Sequence, residues 1–161
     1  MNVLRCALIA VSLAVTAAGQ MKDDLVGTWK LVSYWSTRPN GERVQPYGPH
    51  PIGFLTYTPQ GRMSAILGDP ARPRLSTEDR LATSVAERAE AFLNFVAYAG
   101  TFRIEGDQVI HHVEICSLQN WVGGDQVRQL KLEGDRLTLR PPPRTVAGER
   151  RTNELVWERL R

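Results

Sequence analysis

Turn-forming residues cut this chain about every 8–12 positions, and the runs between them alternate apolar with polar, which narrows the fold to an antiparallel sandwich or barrel. Leu25 to Thr37 (LVGTWKLVSYWST) ends at RPNGER, where Asn40-Gly41 is a strong hairpin signal. Ile52 to Thr58 (IGFLTYT) stops at PQGR, and Met63 to Leu67 (MSAIL) resumes the sheet. GTFRIE-GD-QVIHHVEI and VRQLKLE-GD-RLTLR are two strand pairs joined at Gly-Asp, and NELVWERL closes the chain. Eight or nine strands result, the ninth depending on whether ERVQPYG pairs.

One stretch departs from this rhythm. Within Ser76 to Val96, Leu81, Val85, Ala89, Phe92 and Val96 recur at helical spacing and predict one apolar helix face. Ser76 followed by Asp79 resembles a capping box, with acids where the helix dipole favours them. Such a stripe must lie against something, most simply one open end of a barrel.

The first residues have the layout of a secretory signal: Arg5, an apolar run from Ala7 to Val15, then small residues at Ala17-Ala18-Gly19. The run falls short of the about 20 residues a membrane-spanning helix needs. Residues 1–19 are therefore expected to be a signal peptide and residues 25–161 one barrel domain, secreted or periplasmic, with no stable membrane insertion after the signal is removed. Removal would also take Cys6 and leave Cys116 without an intramolecular partner, so Cys116 reads as a small buried hydrophobe. The formal net charge is +3, and the basic residues are scattered among acids. No stripe tracks phosphates, so no nucleic-acid partner is expected.

In a closed eight-stranded sheet the interior holds side chains or one small ligand. Strict alternation places Trp29, Leu31, Ser33 and Trp35 on one face of the first strand, opposite Tyr34. It aligns Met63, Ala65 and Leu67; Arg128, Leu130 and Leu132; Leu137 and Leu139; and Leu155, Trp157 and Arg159. An apolar interior with a few embedded polar groups suits an amphipathic organic molecule.

His111 and His112 are neighbours on a strand and so point to opposite faces. They cannot share a metal from one side, and no metal is expected. Apolar company puts Val109, His111, Val113 and Ile115 on the core face. His111 is then either a core histidine satisfied by a hydrogen bond or a neutral proton acceptor in an apolar cavity near Arg128. His112 and Glu114 read as a solvated cross-strand pair, although a one-residue slip in register would exchange the two histidines. Trp121, in SLQNWVGG, either plugs the barrel mouth or lines an entrance.

The blocks LVGTWKLVSY, PYGPHPIGFLTYTPQGRMSA, YAGTFRIEGDQVIHHVE, SLQNWVGGDQVRQLKLEGDRLTL and ELVWERL resemble, in order, the lipocalin-like domain family of bacteria and fungi. The resemblance runs from about Leu25 to Leu160. It implies an all-β fold, a small antiparallel up-and-down barrel of eight to nine strands with one helix capping an end, and an internal cavity. It implies no settled reaction; some relatives with such barrels act as cofactor-free cyclases or isomerases. Gly27-Thr28-Trp29 is similar to the family's Gly-x-Trp opening, whose tryptophan sits at the barrel base, and Arg159 is placed to stack on it.

Two functions of different class follow. In the first, an exported barrel binds a small hydrophobic or amphipathic molecule through Trp35, Phe54, Tyr57, Tyr98, His111, Trp121 and Arg128. In the second, a cofactor-independent isomerase or cyclase uses His111 or His112 as acid or base and Arg128 to stabilise negative charge, with Tyr57 or Tyr98 as proton donor. Neither requires a cofactor. The chain has no nucleophile elbow, no phosphate loop and no paired-carboxylate motif.

Overall fold

The computed structural model describes residues 19–161. The expected signal segment, with Arg5 and Cys6, lies outside the described residues except for Gly19. Ten strands follow: β1 (Gly27–Thr37), β2 (Arg43–Val44), β3 (Ile52–Tyr57), β4 (Arg62–Gly68), β5 (Phe95–Glu105), β6 (Gln108–Cys116), β7 (Asp125–Glu133), β8 (Arg136–Arg140), β9 (Arg144–Val146) and β10 (Glu149–Arg159). Eight of them run antiparallel in the order β1-β3-β4-β5-β6-β7-β8-β10, and β10 pairs back onto β1 to close the barrel. The short strands β2 and β9 extend β1 and β10 beyond the ring. ERVQPYG does pair, as β2, through Ser36–Val44 and Thr37–Arg43. Strand β9 is an addition that the proline-rich PPPRTVAGER concealed; its two-residue turn, Ala147-Gly148, has positive φ at both positions.

Alternation predicts the faces correctly wherever the ladder is regular. Met63, Ala65 and Leu67 face the core, as do Arg128 and Leu130 on β7 and Leu137 and Leu139 on β8. Two bulges change the rest. On β1, Leu31 opposes Trp157 while Ser33 opposes Val156, so the strand carries one extra residue there. Beyond it the faces exchange: Tyr34 and Ser36 turn toward the interior, and Trp35 turns outward beneath the Arg43 guanidinium at 4.5 Å. On β6, Val113 opposes Gly100 while Ile115 opposes Ala99. Val109, His111 and Val113 are therefore buried, but Ile115 is 67% exposed, contrary to the face expected of it. Gly100 permits this crossing, because a Cβ there would lie 1.9 Å from the His112 carbonyl oxygen.

The barrel's ends differ. At one end residues 19–25 are helical and Leu25 is fully buried. Trp29 lies above it, fully buried, donating its indole N–H to the Leu25 carbonyl at 2.9 Å. Arg159 stacks on Trp29 at 4.2 Å and donates to the carbonyls of Val26 and Asp24. The opposite end is formed by the longer connections. One of these carries the second helix, Val85–Leu93, which is shorter than the apolar periodicity suggested. Its capping box is Ser84 with Glu87, not Ser76 with Asp79. The Glu87 carboxylate accepts from the backbone N–H groups of both Ser76 and Ser84, which holds its pKa down to about 2. None of the helix's residues is buried, and Leu81, before its start, is 93% exposed. Among the described residues no helix is long and apolar enough to cross a membrane.

Candidate functional site

The end opposite Trp29 opens into a cavity of about 260 Å³. That is near the lower limit of ligand pockets, which run about 300–1,000 Å³, and it suits one small ring system rather than a long chain. Its apolar wall comes from Leu55, Ala65 and Leu67 on the adjacent strands β3 and β4, facing Leu139, Leu155 and Trp157 across the barrel. Aromatic side chains frame the mouth. Tyr34, brought inward by the β1 bulge, meets Tyr47 edge-on at 5.3 Å, and Tyr98 meets Trp121 edge-on at 5.7 Å. Trp121 therefore lines the cavity rather than filling it.

Polar groups enter from three strands. Arg128 on β7 is buried, 7% exposed, and its guanidinium lies beside the Tyr98 hydroxyl. Arg144 on β9 stacks on Trp121 at 4.8 Å and donates to the Gln126 side-chain oxygen. Burial and the neighbouring Arg128 charge both lower the Arg144 pKa. Asn153 and Trp157 on β10 also line the space, and among the described residues Asn153 Oδ1 and Trp157 Nε1 are buried without a hydrogen-bond partner. No aspartate or glutamate lines the cavity. Burial raises the phenol pKa values of Tyr34 and Tyr98 and pushes that of Tyr47 up to about 12, so all three remain neutral donors.

His111 lies beneath this floor, fully buried, with both ring nitrogens engaged. Tyr57 Oη is 2.7 Å from Nε2 and Tyr98 Oη is 3.0 Å from Nδ1. Burial, reinforced by the Arg128 charge, depresses the His111 pKa well below the ordinary imidazole value. The ring is accordingly neutral, with one N–H and one acceptor nitrogen. Tyr57 is itself fully enclosed, and its hydroxyl has no second hydrogen-bond partner among the described residues. Tyr57 must then donate to Nε2, because the opposite arrangement would strand its proton in the core. Nδ1–H in turn donates to the Tyr98 oxygen, which leaves the Tyr98 proton directed to a further acceptor. Sequence reasoning found these three residues separately; the chain of hydrogen bonds follows from register.

The expected site residues thus divide. Tyr98, Trp121 and Arg128 line the cavity, while Tyr57 and His111 support it from below. Trp35 and Phe54 stand on the barrel's outer surface: Trp35 because of the bulge, and Phe54, 44% exposed, because alternation on β3 buries Leu55 and Tyr57 instead. His112 also faces out, with Nδ1 2.9 Å from Asp125 Oδ1, and Glu114 pairs with Arg62 rather than with His112. Sequence reasoning missed Tyr34, Arg144 and Asn153. Tyr34 needed the bulge to be seen; Arg144 sits on the unrecognised strand β9, and Asn153 begins the recognised last strand on the face of Leu155 and Trp157, where alternation places it.

A family model described as a lipocalin-like domain matches residues 26–160. The chain is also 31% identical over 107 residues to a protein of Aspergillus oryzae named as a 4'-hydroxy-3'-methoxypropiophenone carrier protein, an alignment covering 61% of this chain and 96% of that one. No solved structure matches. The closed eight-stranded barrel, the Trp29–Arg159 base and a family match spanning the whole barrel lead to one conclusion: the chain belongs to the lipocalin-like domain family.

Proposed function

We propose that this protein is an exported carrier that holds one small amphipathic molecule, with an aromatic body, in the cavity at the open end of its barrel. The observation that carries the reading is the cavity's lining: a tyrosine- and tryptophan-rich wall with a few convergent polar groups, which is the composition of an organic-ligand site. The fungal relative named as carrying an aryl ketone supports the same class of occupant. Export rests on the N-terminal pattern of Arg5, an apolar run and Ala17-Ala18-Gly19. Turnover by acid–base catalysis needs a base as well as an acid at the wall. Tyr98 offers a proton donor there, but the histidine considered as base, His111, lies beneath the wall with both nitrogens engaged, which supports holding a molecule over converting it.

Titrating the purified protein with 4'-hydroxy-3'-methoxypropiophenone should quench tryptophan fluorescence saturably, because Trp121 and Trp157 face the cavity. Replacing Trp121 by alanine should weaken the binding. A cavity that admits neither this probe nor any co-purified small molecule, judged by native mass spectrometry, would remove the carrier reading. Fractionating the cells that express the full chain tests export separately.

A further inference from the structure

We infer that the occupant is held as an organic anion, a phenolate or carboxylate carried on a small aromatic body, with its oxygen set among Arg128, Arg144 and the Tyr98 hydroxyl. This rests on the carrier reading and specifies its ligand chemistry. Two cationic side chains line one small apolar space, and Arg128 is 7% exposed. Among the described residues neither forms an ion pair with a carboxylate, whereas Arg38, Arg62, Arg103, Arg140, Arg151, Arg159 and Arg161 all do. Buried charge is costly unless paired, so two neighbouring guanidiniums without an acid between them call for a negative charge from outside the chain.

Both arginines are positioned in advance. Arg144 is fixed by its stack on Trp121 and its bond to Gln126, and Arg128 donates to the Val127 carbonyl at 2.8 Å with further N–H groups to spare. The third donor is set by the histidine. Because Tyr57 donates to His111 Nε2 and Nδ1–H donates to Tyr98, the Tyr98 oxygen is already occupied as an acceptor. Its O–H is left to donate, and accepting a bond polarises it further. An oxyanion meeting two guanidiniums and a phenol receives only charge-assisted hydrogen bonds, whereas a neutral ether in the same place would meet donors it satisfies poorly. Other titratable or charged groups around the space include Tyr34 on β1, Tyr47 in the connection before β3, Cys116 on β6 beside Tyr98, Arg72, whose charge reaches Tyr47, and Arg151 on β10, whose charge also reaches Tyr34. None of these is a carboxylate. Glu149, which pairs with Arg151, lies outside the lining.

Two probe pairs of matched shape test the inference. 4-Hydroxyacetophenone is compared with 4-methoxyacetophenone, and benzoate with benzamide, each by tryptophan quenching. The ionisable member of at least one pair is expected to bind about tenfold or more tightly than its neutral partner. The pair that shows the preference tells phenolate from carboxylate. Bound 4-hydroxyacetophenone should also show its longer-wavelength phenolate band at a pH where the free probe is mostly neutral, a readout that needs no variant. Arg144→Gln, on the hairpin away from the core, should reduce the preference, and Arg128→Gln should reduce it further. Equal binding within both pairs, or tighter binding of the neutral members, overturns the anion inference and leaves the carrier reading standing. If none of the four probes binds, the inference also falls, and the fate of the carrier reading is decided by the propiophenone titration and the co-purification measurement.

Discussion

The neutral His111 ring gives the fold a characteristic response to acid. In the folded state burial holds its pKa well below the ordinary imidazole value of about 6.5, while in the unfolded chain the imidazole is solvated and titrates near that value. Below about pH 6.5 the unfolded state therefore binds one more proton than the folded state, and stability falls as pH falls. The slope for one proton is about 1.4 kcal/mol per pH unit at most and half that at pH 6.5, so up to about 1.6 kcal/mol should be lost between pH 6.5 and 5. The lowered carboxylates Glu87, Glu114 and Asp125 contribute mainly at more acidic pH, as the ordinary carboxylate range is approached. The window between 5 and 6.5 thus reports on His111. His50 and His112 are exposed, and replacing both by asparagine leaves His111 as the one imidazole in the chain. Urea denaturation of that background, followed by tryptophan fluorescence across the window, should give the slope, and His111→Gln should flatten it. A flat profile in the background itself would mean that the folded protein accommodates the imidazolium. The sealed, doubly hydrogen-bonded placement of the ring would then be wrong.

Other expectations follow from packing. Trp29→Ala should cost about 3–5 kcal/mol in chemical denaturation, since the indole is fully buried and anchors both Leu25 and Arg159; wild-type-like stability would remove Trp29 from the base. Gly100→Ala should cost about 1–3 kcal/mol or rearrange the β5–β6 crossing, because the new methyl meets backbone rather than a movable side chain. Solution spectra showing unchanged backbone shifts at Val113 and Ile115, with unchanged stability, would contradict the bulge placement. Tyr57→Phe should cost about 1–3 kcal/mol by leaving His111 Nε2 unpaired, as read by thermal unfolding at neutral pH.

Much of the fold was legible because strand periodicity and turn chemistry agree with each other over most of the chain. The Gly106-Asp107 and Gly134-Asp135 turns sit between β5 and β6 and between β7 and β8, with both glycines at φ near 60°. The interior faces of β4, β7 and β8 follow directly from alternation. The site was less legible, because a single inserted residue inverts every side chain after it. Val32-Ser33 on β1 and Glu114 on β6 carry no local signal for such an insertion; the bulges are set by the partner strands, Val156-Trp157 and Ala99-Gly100. Trp35 and Tyr34 therefore exchange roles. The helix departs from its apolar periodicity for a different reason. Leu81, Val85 and Phe92 keep helical spacing, but the Ser84-x-x-Glu87 box starts the helix later, and its apolar residues remain largely exposed.

The distribution of hydrogen bonds separates the barrel's Trp29 end from its cavity end. Around Trp29 the buried polar groups are paired: the indole to Leu25, and Arg159 to Val26 and Asp24. At the cavity, Trp157 Nε1 and Asn153 Oδ1 have no partner among the described residues, and such groups cost about 1–3 kcal/mol each. A barrel shaped for stability alone would carry an apolar side chain of the same shape at position 153. Asn153→Leu tests this, because leucine nearly matches asparagine in shape and removes the unsatisfied amide. Its unfolding midpoint in urea should equal or exceed that of the wild type, while affinity for a polar aromatic probe should fall, the trade expected at a binding site. A loss of about 1 kcal/mol or more would show that the Asn153 amide serves the fold. The unpaired polar groups beside the cavity would then be part of the scaffold, and their grouping there would no longer point to a ligand.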